Sequence, residues 1–138
     1  MGVKKDRIRA LCAIAAVALV VFAGCFWMAN SRDAWFVKSL VDRVAPWEST
    51  AICYAQAPDA HDYFDAYDDA AGAYENYVYE VDAVDARGMH RRVVLVSFGT
   101  MLENEGCIEM TVNGTSAHTW EYIDDEKLPE AVRGRIVR

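Results

Sequence analysis

The sequence predicts a mainly β fold: a small five-stranded barrel with a short C-terminal helix, preceded by an N-terminal transmembrane or signal helix. Three observations carry that expectation. Ala10 to Ala29 is an apolar block of twenty residues without a charge. From Thr50 onward apolar and polar residues alternate with a period of two, and turn residues punctuate that alternation at short intervals. With 138 residues the chain has room for one domain once the apolar block is set aside.

The block at the N-terminus fixes the expected location. A helix of its length spans roughly 30 Å, the thickness of a bilayer core. Residues 1–25 hold Lys4, Lys5, Arg7 and Arg9 against Asp6, a net of +3, so the overall −7 leaves −10 for residues 26–138. A basic tail before an apolar block predicts a cytoplasmic N-terminus and an exported remainder. Trp27 and Trp35 mark the exit, where amphipathic rings favour the interface. A domain of charge −10 repels phosphate backbones and anionic lipid surfaces, which argues against nucleic acid as a partner.

Two anchoring mechanisms fit residues 1–30. Phe22-Ala23-Gly24-Cys25 resembles a bacterial lipobox, which makes Cys25 the lipidation candidate. Yet Cys25 is followed by Phe26-Trp27-Met28-Ala29, not by a polar tether, which extends the apolar run into a full span and fits an uncleaved signal anchor. Residues 31–49 follow as an amphipathic linker helix. Phe36, Leu40 and Val44 recur at helical spacing with Val37 and Val41 alongside, Ser31 is placed to cap the start, and Pro46 ends the pattern. This helix can lie on the membrane or pack on the domain.

Residues 50–138 are read as the exported domain. Ala51 to Gln56 forms the first strand, and residues 57–72, acidic and holding Pro58 and Gly72, form a long loop. Tyr74 to Ala86 is the clearest strand, with Tyr77, Tyr79, Val81 and Ala83 on one face and Val78, Glu80, Asp82 and Val84 on the other. Asp85 to Gly88 is the turn into a returning strand, Arg91 to Phe98, that carries Val94, Val96 and Phe98 on one face. Cys107 to Val112 is the fourth strand, with Ile108, Met110 and Val112 inward. Asn113-Gly114 turns the chain into a fifth strand, Thr119 to Ile123. Pro129 opens a terminal helix over 129–137. Closing the sheet into a barrel removes its exposed edges.

The pattern Tyr77-x-Tyr79-x-x-x-Ala83-x-Asp85-x-x-Gly88, with Leu102-x-x-x-Gly106, the Glu121-Tyr122 pair and Lys127-Leu128-Pro129-x-x-Val132, resembles the YxeA-like family. That family comprises small bacterial exported or membrane-anchored proteins of unknown function with an OB-like barrel. The resemblance covers roughly residues 50–137. It implies an OB-like fold and an envelope location, and it brings no catalytic residues. The segment 31–47 and the acidic loop 57–72 depart from the compact family pattern.

In an OB-like barrel the first and fourth strands are neighbours, which makes Cys53 and Cys107 a candidate disulfide outside the cytoplasm. Closing a loop of about 50 residues would contribute roughly 4 kcal/mol. Asp59, Asp62, Asp65, Asp68 and Asp69 suit calcium by composition but lack EF-hand spacing, so no metal is assigned. Tyr63, Phe64, Tyr67, Tyr74, Tyr77 and Tyr79 interleave with those acids, and rings beside carboxylates are ingredients for a cationic or sugar ligand. His61, His90 and His118 have no metal-ligand spacing, and no nucleophile triad or phosphate-binding glycine loop is present, so no catalytic residue and no cofactor is assigned. Asn113-Gly114-Thr115 matches a glycosylation sequon, set aside because the resemblance is bacterial. The expected role is a non-enzymatic envelope module that binds a protein, glycan or small ligand. The alternatives are an envelope enzyme using Glu80 and Asp82, and an assembly factor for another membrane protein acting through residues 1–47.

Overall fold

An apolar run rich in alanine, with Gly24 its one glycine and no proline, favours an unbroken helix in an apolar setting. In the computed structural model α1 runs over Gly2–Asn30. Residues 2–31, 34–45, 49–103 and 105–136 are described, and the chain divides into two compact units, Met1–Lys38 and Ser39–Arg138. In the first unit, Arg7–Met28 is long and apolar enough to cross a membrane or to serve as a signal sequence, and none of its most apolar stretch is buried. Ser31 does not cap the next helix: its N–H donates to the Trp27 carbonyl at 2.8 Å, extending the last turn of α1. Helix α2, Trp35–Val44, instead begins on Ala34, whose carbonyl accepts from the Lys38 N–H at 3.0 Å. The expected stop at Pro46 lies outside the described residues.

Among its described residues the second unit holds six strands where five were expected: β1 (Thr50–Gln56), β2 (Asp65–Asp68), β3 (Glu75–Asp85), β4 (His90–Phe98), β5 (Cys107–Asn113) and β6 (Ser116–Ile123). Antiparallel pairs join β1 to β5, β5 to β6 and β4 to β3. A parallel bridge at Val94 and Ser116 joins β6 to β4, and β3 returns to β1 through Cys53 opposite Asp85 and Tyr54 opposite Val84. Five strands thus close the OB-like barrel. The sixth, β2, pairs only with the first part of β3, from Asp65 opposite Val78 to Asp68 opposite Glu75. It lay hidden in the acidic loop because this short edge strand is mostly exposed and shows no apolar alternation. A register irregularity at Thr111 and Val112 lets β6 start at Ser116, ahead of the expected Thr119.

Inward faces follow from which residues alternate into the barrel. Tyr79, Val81 and Ala83 from β3 meet Ile108, Met110 and Val112 from β5, as expected, together with Cys53, Ala55 and Leu102. On β4 the buried face is Val93, Leu95 and Ser97; the more regular-looking Val94, Val96 and Phe98 face outward. A second apolar cluster lies outside the ring, where Leu128 and Val132 cover Tyr54, Val84 and Cys107. The terminal helix α3, Glu130–Arg133, is shorter than the expected 129–137: Pro129 precedes its first residue and Gly134 ends it.

Candidate functional site

The overhang of β2 beyond the ring, together with the loop after β4, frames an open cleft of about 600 Å³. The β2–β3 turn is built by Asp69. Its carboxylate accepts from the Ala73 N–H at 2.7 Å and the Tyr74 N–H at 3.3 Å, while its own N–H donates to the Tyr74 carbonyl at 2.8 Å. This fixes Tyr74 at the mouth. The opposite wall begins where β4 ends. Buried Asn76 accepts from the Gly99 N–H at 3.2 Å, and the Ser97 hydroxyl donates to the Thr100 carbonyl at 2.6 Å. Gly99 takes φ 73°, and a Cβ there would rest 3.7 Å from the Tyr74 ring.

Three aromatic side chains line this cleft, Tyr67, Tyr74 and Phe98, with Asp68 and Asp69 beside them. Phe98 is 70% exposed and Tyr74 65% exposed, a placement that hydrophobic burial alone does not produce. A ring face beside a carboxylate attracts a cation, and the apolar rings take a flat or methylated body.

The remaining tyrosines of the acidic segment do other work. Tyr79 is fully buried: its hydroxyl donates to the Ala60 carbonyl at 2.8 Å and accepts from the Leu102 N–H at 3.2 Å, tying two loops at one barrel end. Burial pushes the Tyr79 phenol above its ordinary pKa. Tyr63 packs against Tyr77 and Tyr79 at ring-centroid distances of 5.1 and 6.3 Å, and Tyr77 donates to Glu75 at 2.9 Å. Phe98, which belongs to the cleft, was indistinguishable in sequence from an ordinary strand residue. Its only signal was its place next to Gly99.

The structure does not bring Cys53 and Cys107 together. Both residues are buried and neither is disulfide-bonded; Cys53 stands opposite Met110 while Cys107 stands opposite Gln56. An offset of three rows is roughly 10 Å along the strand and reverses the face, whereas a disulfide needs Cα atoms within about 7 Å. Cys53 points into the barrel, because the inward face of β1 carries small residues, and Cys107 points out beneath α3. The Cys107 thiol donates to Asp125 at 3.2 Å. Burial pushes the Cys53 thiol pKa up, with Arg91 opposing it. Cys25 lies within α1 and is exposed.

Two of the loop acids accept from nearby backbone: Asp59 from the His61 N–H at 3.0 Å and Asp65 from the Ala66 N–H at 2.9 Å. Among the described residues no group of three or more His, Cys, Asp or Glu side chains is arranged to hold a metal ion. Glu80 and Asp82 lie on the outer face of β3 near Arg92 at 3.9 Å and His90 at 3.5 Å, and neither lines the cleft.

No family model and no curated protein matches the chain. A crystal structure of a DUF1093 family protein from Bacillus subtilis is similar to it at 22% identity, covering 67% of this chain and 95% of that one, with a TM-score of 0.48. YxeA is in that family. The barrel assignment here rests on the strand pairings.

Proposed function

We propose that the protein is a membrane-held, extracytoplasmic binding module without catalytic activity, and that the cleft beside the β2–β3 hairpin is its recognition surface. The observation that carries this reading is the convergence of exposed Tyr67, Tyr74 and Phe98 with Asp68 and Asp69 around one cleft. The ligand class that fits is an organic cation with an apolar or flat body, free or displayed on an envelope protein or glycan. The excess negative charge of residues 26–138 likewise favours a cationic partner. The apolar continuation Phe26-Trp27-Met28-Ala29 after Cys25, in place of a polar tether, supports an uncleaved anchor over lipidation at Cys25, and the basic N-terminal tail supports export of the barrel. Glu80 and Asp82, the carboxylates an enzyme would draw on, stand apart from the cleft and near basic partners.

The test is an NMR titration of the full chain in micelles with tetramethylammonium and its uncharged isostere, neopentane. Saturable shifts at Tyr67, Tyr74 and Phe98 with the cation alone, lost in the Y74A/F98A double variant, are expected. Each exposed cation–ring contact is worth about 0.5–1 kcal/mol, so the small probe should bind only weakly. Equal shifts with both probes, or cation shifts that persist in the double variant, would remove this cleft as the cation site.

A further inference from the structure

Helix α2 is amphipathic, yet it presents its apolar side to solvent and its polar side to the protein. At 100° per residue, Phe36, Val37, Leu40, Val41 and Val44 fall on one stripe and Asp42 falls on the opposite side. Within the second unit, Leu40 is 48% and Val44 79% exposed, whereas Ser39 and Asp42 are half-buried and Ala45 is buried. The reason is visible at Asp42. Its carboxylate accepts from the Thr115 N–H at 2.9 Å, the Thr115 hydroxyl at 3.1 Å and the Ser116 hydroxyl at 3.2 Å, and its carbonyl accepts from the Asn113 side-chain amide at 2.7 Å. The β5–β6 turn therefore occupies the polar side of the helix and leaves the apolar stripe facing away from it.

We propose that this stripe is seated in a lipid surface, so that α2 lies in the plane of the membrane as a plate between bilayer and barrel. The proposal rests on the anchored reading above. Only residues 31–34 separate α1 from α2, a chain that reaches at most about 14 Å, so a helix following the span begins at the headgroup level. A short amphipathic helix at that depth buries its apolar face among headgroups and upper acyl chains. Exposed Arg43 borders the stripe, where a long cationic side chain reaches lipid phosphates. The Asp42 contacts would then turn the β5–β6 end of the barrel toward the membrane.

Nitroxide accessibility in the full chain, reconstituted in bilayers of zwitterionic and anionic phospholipid with C12A and C25A in the background, tests this. Labels are placed singly through L19C, L40C, V44C and R92C. At positions 40 and 44 collision with oxygen should exceed collision with a water-soluble nickel chelate several-fold, as at position 19, and the order should reverse at position 92. Lipid-like behaviour at 19 with water-like behaviour at 40 and 44 would overturn the plate and leave the anchor standing. Water-like behaviour at all three would overturn both. Labels at 40 and 44 that are immobile and shielded from both reagents would show a protein partner in place of lipid, and would overturn the assignment as well.

Discussion

The carboxylate of Asp42 meets Thr115 twice, at the backbone N–H (2.9 Å) and at the hydroxyl (3.1 Å), across seventy-three positions of sequence. One side chain thus clamps the end of a helix onto a hairpin turn. Removing it by Asp42→Ala leaves Thr115 and Ser116 with lost partners at a half-buried site, which should cost about 1–2 kcal/mol. Gly114→Ala should be at least as damaging, since φ there is +59° and the new Cβ would meet the Asp42 carboxyl carbon at 2.5 Å. Thermal unfolding followed by circular dichroism checks both. If neither variant shifts the transition, the clamp contributes nothing to the fold.

Tyr79→Phe removes the one hydroxyl that serves both Ala60 and Leu102. A buried N–H left without an acceptor costs about 1–3 kcal/mol. Hydrogen exchange at Leu102 should speed up more than exchange in the middle of β5. Equal acceleration everywhere would mean that the hydroxyl does not hold the loop locally.

Tyr74→Ala and Phe98→Ala should each leave stability within about 0.5 kcal/mol, because both rings are mostly in water. Chemical denaturation measures this directly. A loss of 2 kcal/mol or more at either would make that ring a packing residue and take it out of the recognition surface.

The two barrel cysteines should both alkylate once the chain is denatured without reductant, and neither should react quickly in the native state. Mass spectrometry gives the count. A denatured, unreduced chain that resists labelling at Cys53 and Cys107 would contradict the register of β1 and β5.

Asp85 sits buried in the β3–β4 turn, accepting from the Met89 N–H at 3.0 Å and the Arg87 N–H at 2.9 Å, with the Arg87 guanidinium at 3.1 Å. The Met89 N–H first, and then Arg87, hold its carboxyl below the ordinary carboxylate value, against an opposing push from burial. A carboxyl whose pKa falls on folding adds stability above its unfolded pKa of about 3.9, and that stability is lost as pH drops through the folded value. Stability should therefore decline below about pH 4, and Asp85→Asn should be less stable at neutral pH with a flatter acid limb. An unchanged acid limb in that variant would show that the turn does not depend on the charge.

Much of the barrel was legible because buried strands write their pattern in apolar residues. Tyr79, Val81, Ala83, Ile108, Met110 and Val112 all point inward as the alternation says. The phase of β4 was harder, since Val93 to Val96 is apolar on both faces and only the packing selects Val93 and Leu95. The disulfide expectation at Cys53 failed for the opposite reason: the inward face of β1 is lined by small residues, while the large Ile52 and Tyr54, which by size look like core residues, stand on the outer side. The cleft was half visible. Tyr67, Tyr74 and the aspartates suggested it, but Phe98 and Thr100 join them through the register that sets Phe98 opposite Asn76, which the apolar alternation does not mark.

Strand β2 contributes no pairing to the closed ring, since its partner residues all lie between Glu75 and Val78. Half of the cleft is therefore carried on an appendage whose sequence can drift without opening the barrel. On the binding role proposed above, diversity in the ligand captured would accumulate in residues 65–74, under a different selective pressure from the scaffold that presents them, and the hairpin is the segment to exchange when a new specificity is wanted.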